Sequence, residues 1–211
     1  GARWGTNLQA LFDAHAPRDI IRGRIAAVIA SKPGVYALER AKRAGIPSYV
    51  VARKDYPDSR AMTVALVDKL KGLNIDLVVL AGFMTIFTEE MVNAYPNAIL
   101  NVHPALIPSF CGKGYYGLHV HERALEYGVK LSGATVHFVS EECDGGPIVL
   151  QKAVEVEQDD TPETLQRRIM EQAEWVILPR AVSLFCQGRL QVEGRTVRIL
   201  KPYQLSKECL Q

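Results

Sequence analysis

The sequence contains few cysteines and no long apolar run, and these two shortages exclude two classes of protein. Its four cysteines, Cys111, Cys143, Cys186 and Cys209, form no CxxC pair and no regular spacing, so we expect reduced thiols rather than a disulfide scaffold. The longest apolar runs, such as 77–81, are far shorter than the ~20 residues that cross a bilayer, and no signal-peptide pattern is recognisable. We therefore expect a cytoplasmic protein with no membrane partner.

An excess of charge of one sign is also missing. The 25 lysines and arginines against 23 aspartates and glutamates leave a formal net charge of +2 on 211 residues. Binding to the phosphate backbone of a nucleic acid needs a broad cationic surface. We therefore expect no nucleic-acid partner and, at most, a small anionic ligand. What the chain does have is 48% hydrophobic residues, enough for a folded core.

The order of apolar runs and turn residues predicts a regular alternation of helices and strands. Helices are expected at 5–17, 35–44, 58–72, 88–95, 118–127 and from Thr161 to a kink or break at Pro179. Strands are expected at 25–30, 49–51, 76–81, 98–101, 131–139 and 148–156, with a hairpin at 189–200. Only a turn at 140–146 separates the strands 131–139 and 148–156, so we expect the order to shift there toward antiparallel pairing. The strand expected at 76–81 is continuously apolar from Leu77 onward, so we expect it to be a central strand. The fold class is α/β, a doubly wound and mostly parallel sheet in which ligands lie outside the carboxyl ends of the strands.

A first candidate site is Asn101-Val102-His103-Pro104, where the strand from residue 98 ends. Side chains alternate along a strand, so Asn101 and His103 point to the same side. An amide donor beside an imidazole suits a developing oxyanion, because the amide supplies a fixed N–H and the imidazole exchanges a proton near neutrality. A turn-capping asparagine beside a surface histidine explains the same spacing, and both interpretations stay open.

A second candidate is Asp144, in the turn Cys143-Asp144-Gly145-Gly146-Pro147. A carboxylate that reached His103 would favour the imidazolium and raise the pKa of that histidine, and the pair could take a proton from an amine nucleophile. Asp-Gly is also a common turn sequence. The segment therefore matters only if it converges with His103.

Two further segments have the composition of phosphate sites. Gly5-Thr6-Asn7 opens a helix whose N–H groups and dipole favour a phosphate, although simple capping explains it equally well. The segment 112–117 is a literal G-x-G-x-x-G. We reject the dinucleotide interpretation and expect no nicotinamide cofactor, because Pro104 and Pro108 interrupt the strand it needs and Tyr115-Tyr116 would crowd a pyrophosphate.

The remaining titratable groups indicate less. His119 and His121 are two residues apart on a predicted helix and do not share a face, so we expect no metal site. His137 is a core histidine or a partner of the site. Glu171 and Glu174 share a helix face at i,i+3, which is typical of a solvated surface.

Six segments of the chain form a pattern when they are taken together: Gly5-Thr6-Asn7-Leu8-Gln9, Asp58-Ser59-Arg60, Ala81-Gly82-Phe83-Met84, 101–108, 133–139 and Asp144-Gly145-Gly146-Pro147-Ile148. In order and spacing they resemble one known family, the phosphoribosylglycinamide formyltransferases of purine synthesis. The resemblance runs from Gly5 to about Leu190. It implies transfer of a formyl group from 10-formyltetrahydrofolate, as co-substrate, to the amine of glycinamide ribonucleotide.

The resemblance also implies roles for residues. The catalytic group is Asn101, His103 and Asp144, supported by Thr135 and His137. The ribonucleotide contacts are Gly5, Thr6, Asn7, Glu171 and Glu174. The folate contacts are Arg60, Met84, Thr85, Ile86, Phe87, Asn101, Ser140, Glu141, Glu142, Cys143 and Asp144. The resemblance further implies that the protein binds only small-molecule substrates, uses no metal ion, and is a monomer or a homodimer.

The sequence departs from the family pattern in two places. The apolar first strand and its glycine-rich turn are absent, with Arg3-Trp4 where small residues are expected, so we expect the first strand to be missing from this chain. Trp175 stands where many relatives carry histidine. The expected domain organisation is a formyltransferase domain over 1–190, with a nucleotide-binding half of about 1–100 and a folate and catalytic half of about 101–190, followed by a hairpin and tail at 191–211.

Three other functions remain as alternatives. Methionyl-tRNA formyltransferase and formyltetrahydrofolate hydrolase share the Asn-x-His and Asp pattern, but each needs an additional domain that 211 residues do not accommodate. A non-catalytic nucleotide-binding module would keep its ligand after loss of Asn101, His103 or Asp144.

Overall fold

The computed structural model describes residues 6–15, 23–81 and 87–202, which fall into two compact units. The first unit ends at Leu100 and the second begins at Asn101. The expectations for Gly5, for Met84, Thr85 and Ile86, for Cys209 and for a first strand lie outside the described residues.

The first unit alternates helices and strands. Its elements are α1 Thr6–His15, β1 Val28–Ala30, α2 Tyr36–Arg43, β2 Ser48–Val50, a 3₁₀ turn Arg53–Asp55, α3 Ser59–Gly72, β3 Val78–Leu80, α4 Glu89–Ala94 and the start of β4, Ile99–His103. β1 and β2 pair in parallel, and α1 and α2 pack on them through a buried cluster of Leu8, Phe12, Val28 and Ala41. α3 begins where the carboxylate of Asp58 accepts the Ala61 N–H at 2.7 Å, as the sequence predicts.

The second unit is built around antiparallel strands. It contains the end of β4, α5 His119–Tyr127, β5 Leu131–Phe138, β6 Ile148–Glu155, α6 Pro162–Ile169, a π-helical turn Met170–Glu174, α7 Trp175–Cys186, β7 Leu190–Glu193 and β8 Thr196–Ile199. The strand order from β4 is β4-β5-β6-β8-β7. β5–β6 and β7–β8 are antiparallel, whereas β6–β8 is parallel. The shift toward antiparallel pairing after residue 131 is confirmed, and the whole is the expected α/β class.

Two details of the prediction were wrong. β3 is the end strand of its sheet among the described residues, and each of its residues is only partly buried. A continuous apolar run is typical of a strand whose two faces are both covered, but it does not indicate whether other strands pair with both of its edges. Of the kink or break expected at Pro179, the break does not occur, because Pro179 lies inside α7. The irregularity comes earlier, in the π-helical turn Met170–Glu174. This turn lies directly before Trp175, and in a regular α-helix the ring of Pro179 would clash with the Trp175 carbonyl four residues earlier.

Candidate active site

Four polar side chains of the second unit meet at the carboxyl end of β4. The imidazole of His103, buried at 5% exposure, has Nδ1 3.7 Å from Oδ2 of Asp144. The other carboxylate oxygen of Asp144 lies 3.5 Å from Nε2 of His137. Nδ2 of Asn101 is 3.3 Å from that same His137 nitrogen. The structure therefore brings together Asn101, His103 and Asp144, whose convergence the spacing left open, and His137, which the resemblance implies as a supporting residue, lies with them.

Local backbone geometry aims two of the groups that face His103. Asp144 and Phe110 both have a left-handed backbone, with φ of 54° and 49°. An aspartate tolerates this conformation, but for a phenylalanine it costs ~1–2 kcal/mol. In return, the Phe110 carbonyl reaches His103 and accepts a hydrogen bond from its Nε2 at 2.8 Å. Backbone strain that persists beside buried polar groups is typical of functional sites.

The turn that carries Asp144 has room only for glycine at one position. A Cβ atom placed on Gly146 would lie 1.7 Å from the carbonyl oxygen of Phe138. The close approach keeps the turn against the end of β5, and Oδ2 of Asp144 also accepts the Gly112 N–H at 2.9 Å. Backbone packing on one side and a hydrogen bond on the other thus fix the carboxylate.

The hydrogen bonds assign the protons on both imidazoles. A carbonyl oxygen only accepts, so His103 carries a proton on Nε2, which donates to Phe110. For the same reason His137 carries a proton on Nδ1, which donates to the Phe138 carbonyl at 2.9 Å. In the neutral form, Nε2 of His137 then accepts from Asn101, which orients the asparagine amide.

The charges in the site differ from the sequence-based expectation. Burial lowers the pKa of His103, and this effect outweighs the Phe110 carbonyl and the Asp144 carboxylate, which both raise it. The expectation that Asp144 raises the pKa of His103 was right about this one contribution and wrong about the net direction. Burial would raise the pKa of Asp144, but the neighbouring imidazole of His137, the hydrogen bond from the Gly112 N–H and the charge that His103 carries when it is protonated together lower it. The site at neutral pH therefore holds an anionic carboxylate beside a neutral imidazole.

A second polar network holds the segment that follows His103 in the chain. The hydroxyl of the fully buried Thr135 donates to the Ala105 carbonyl at 2.7 Å and accepts the Ile107 N–H at 3.1 Å. The side-chain amide of Gln151 also donates to this network, because its Nε2 lies 2.9 Å from the Thr135 hydroxyl and 3.0 Å from the Ile107 carbonyl. The sequence reasoning missed Gln151. No local pattern indicates this residue, because Gln151 meets Thr135 only through the register of the β5–β6 ladder, in which the two are cross-strand partners.

The sequence-predicted ribonucleotide contacts are divided between the two units. Thr6 and Asn7 open α1 in the first unit. In the second unit, Glu174 is buried on the π-helical turn whereas Glu171 on the same turn is exposed. The i,i+3 relation that aligns two side chains on an α-helix does not hold in the wider π turn. The shared helix face expected for these two glutamates is therefore not present.

The sequence-predicted folate contacts are also divided between the units. Arg60 is an exposed side chain of α3 and pairs with Glu90 at 2.5 Å. Phe87 belongs to the same unit. Ser140, Glu141, Glu142 and Cys143 form the turn before Asp144, where the Ser140 hydroxyl donates to the Glu142 carbonyl at 3.2 Å. Within the described ranges, no group of three His, Cys, Asp or Glu side chains is placed to hold a metal ion.

None of the helices in the described part of the chain combines the length and the apolar character needed to cross a bilayer.

Comparisons with known proteins agree on one family. The sequence model described as formyl transferase matches residues 2–182. The chain is 43% identical over 189 residues to the phosphoribosylglycinamide formyltransferase of Haemophilus influenzae, which covers 90% of this chain and 86% of that protein. The crystal structure of glycinamide ribonucleotide transformylase 1 from Symbiobacterium toebii matches with a TM-score of 0.87 at 47% identity, over 93% of this chain and 90% of that chain. A formyltetrahydrofolate deformylase from Pseudomonas syringae matches with a TM-score of 0.79 at 26% identity, over 94% of this chain and 63% of that chain.

Proposed function

The chain belongs to the formyl transferase family, and from this premise we propose that it transfers a formyl group from 10-formyltetrahydrofolate to the primary amine of glycinamide ribonucleotide. The observation that carries the proposal is the convergence of Asn101, His103 and Asp144 at the end of β4. The similarity to the Haemophilus influenzae enzyme supports the choice of acceptor.

The chemical step begins when the substrate amine attacks the formyl carbon. The formyl oxygen then becomes an oxyanion, and the amide of Asn101 donates an N–H to it. The Nε2–H of His103, which donates to the Phe110 carbonyl in the free protein, is a second donor. A charged oxygen accepts more strongly than a neutral carbonyl, so the developing oxyanion competes successfully for this proton.

His103 and Asp144 then move the proton that the amine releases. The neutral imidazole has an unprotonated Nδ1, and this nitrogen faces Asp144 at 3.7 Å. When Nδ1 receives the amine proton, directly or through Asp144, both ring nitrogens of the imidazolium face an acceptor. The cation is stabilised by the carboxylate on one side and by the oxyanion on the other. The proton passes on to the departing folate nitrogen, which completes the transfer.

The substrate contacts are proposed for each unit by itself. For the ribonucleotide they are Gly5, Thr6 and Asn7, with the phosphate at the start of α1, and Glu174 with Glu171 in the second unit. For the folate they are Arg60, Met84, Thr85, Ile86 and Phe87 in the first unit and 140–144 with Asn101 in the second. The proposed partners are small molecules alone, in a cytoplasmic monomer or homodimer without a metal.

Formyl transfer from 10-formyltetrahydrofolate, measured with glycinamide ribonucleotide present or omitted, tests the proposal. We expect turnover that depends on the ribonucleotide and that collapses in Asp144→Asn. Asp159→Asn, the same change at an exposed turn, is the matched control and should retain full activity. Absence of turnover in the unaltered chain, with both ligands bound, would favour a non-catalytic binding module.

Hydrolysis of 10-formyltetrahydrofolate is the second candidate activity, and the likeness to the Pseudomonas syringae deformylase favours it. The same assay separates the two activities. Formate released at the same rate without the ribonucleotide would indicate the hydrolase.

A further inference from the structure

The segment after His103 is held by one buried hydroxyl whose bonding capacity is full. A threonine hydroxyl has one proton to donate and two lone pairs to accept. In Thr135 the proton goes to the Ala105 carbonyl, and the lone pairs accept the Ile107 N–H and the Gln151 side chain. The Thr135 hydroxyl oxygen alone therefore holds both Ala105 and Ile107 against β5.

Gln151 completes this network with both of its N–H groups. Its Nε2 lies 3.0 Å from the Ile107 carbonyl and 2.9 Å from the Thr135 hydroxyl. The carbonyl only accepts, so the amide nitrogen of Gln151, and not its oxygen, must face Ile107. The orientation of the side chain is thus determined, and one amide group ties β6 to both β5 and the segment after His103.

The pinned segment leads directly back to the imidazole. After Ile107 the chain turns, with the Ser109 N–H donating to the Leu106 carbonyl at 3.0 Å. The next residue, Phe110, presents its carbonyl to Nε2 of His103. Residues 103–110 thus form a loop that begins at His103 and returns to its imidazole through the Phe110 carbonyl. A shift of residues 105–107, which lie inside this loop, therefore moves the groups at both of its ends.

We propose that Gln151 is a positioning residue, which sets the orientation of the His103 imidazole by fixing residues 105–107 through its hydrogen bonds to the Ile107 carbonyl and the Thr135 hydroxyl. The inference rests on the proposed function for its effect on turnover. Its effect on the imidazole itself is independent of any reaction.

The test compares Gln151→Met, which keeps the side-chain length and removes both donors, with Gln191→Met, the same change on the exposed face of β7. Turnover is the first measurement. We expect Gln151→Met to lower kcat about tenfold with KM changed less than about twofold, because binding groups stay in place while the reacting geometry shifts. Gln151→Glu, which places a second acceptor against the Ile107 carbonyl, should lower kcat further than Gln151→Met does. Gln191→Met should have the kcat of the unaltered chain.

The second measurement is the NMR resonance of the His103 Nε2–H, identified by its disappearance in His103→Gln. A hydrogen-bonded imidazole proton exchanges slowly with water, so the unaltered chain and Gln191→Met should show it. In Gln151→Met we expect it to broaden or shift, while the backbone amide spectrum stays that of a folded protein. An unchanged resonance together with kcat within about twofold overturns the inference. If the unaltered chain shows no turnover but the resonance still changes in Gln151→Met, the proposed function fails and the positioning role stands.

Discussion

Replacing Asp144 by asparagine removes one negative charge and little else. The amide is nearly the same size, and its oxygen can still accept the Gly112 N–H that Oδ2 accepts at 2.9 Å. What disappears is the attraction between the carboxylate and a His103 imidazolium, whose Nδ1 lies 3.7 Å away. At an effective dielectric constant of ~20, two unit charges about 4 Å apart attract by ~4 kcal/mol. Since each ~1.4 kcal/mol is a factor of ten in rate, we expect kcat to fall by about 10³.

Steady-state formyl transfer under saturating concentrations of both substrates measures this loss. Because Asp144 acts through His103, the two changes should not add. His103→Gln alone should cost at least as much, and Asp144→Asn in the His103→Gln background should cost less than about tenfold more. A fall of less than tenfold for Asp144→Asn alone, or fully additive losses in the double variant, would refute the proposed coupling between carboxylate and imidazole.

Three further outcomes follow from the structure. Gly146→Ala should lower both stability and activity, because its Cβ would lie 1.7 Å from the Phe138 carbonyl; denaturant unfolding should report a loss above ~2 kcal/mol, and an unchanged midpoint would contradict the packing argument. Arg168 lowers the pKa of Asp160 to about 2. The ionised carboxylate therefore stabilises the folded chain above its unfolded pKa of ~3.9, and this stabilisation is lost as the pH falls toward 2. Denaturant unfolding of Asp160→Asn should show a loss of about 1–2 kcal/mol in the free energy of unfolding at pH 7 and almost no loss near pH 2. Burial lowers the pKa of His103, so the neutral imidazole persists below pH 6.5. In a pH profile of kcat/KM, the acid limb should therefore lie below pH 6.5 and should be absent in His103→Gln. An acid limb above pH 6.5 would show that burial does not dominate the pKa of His103.

A neutral His103 in the free site also changes how the catalytic step is understood. An imidazolium held permanently by Asp144 would have no basic nitrogen for the amine proton. Because burial keeps the ring neutral, the cation forms only as the oxyanion forms, and each charge offsets the desolvation of the other. The carboxylate then stabilises the state that appears during the reaction rather than the resting state.

The sequence by itself determined the fold class and the candidate catalytic trio. Helix caps such as Asp58 and the shift to antiparallel strands after residue 131 depend on neighbouring residues, so local patterns predict them. Asn101 and His103 share one side of β4 because side chains alternate on any strand. Spacing alone did not distinguish this pair from a capping residue beside a surface histidine. The six matching segments, taken together, indicated the family.

Only the tertiary structure decided the charge of His103 and the residues that support it. The net pKa depends on how deeply the ring is buried, and burial is a property of the packed chain rather than of any motif. Gln151 reaches the Ile107 carbonyl across 44 residues of sequence, a distance over which local propensity carries no information. The same holds for the glutamates of Met170–Glu174, where a widened turn buries Glu174 and exposes Glu171. Sequence patterns specify which side chains a segment carries, whereas packing specifies which of them meet and what charge they hold when they do.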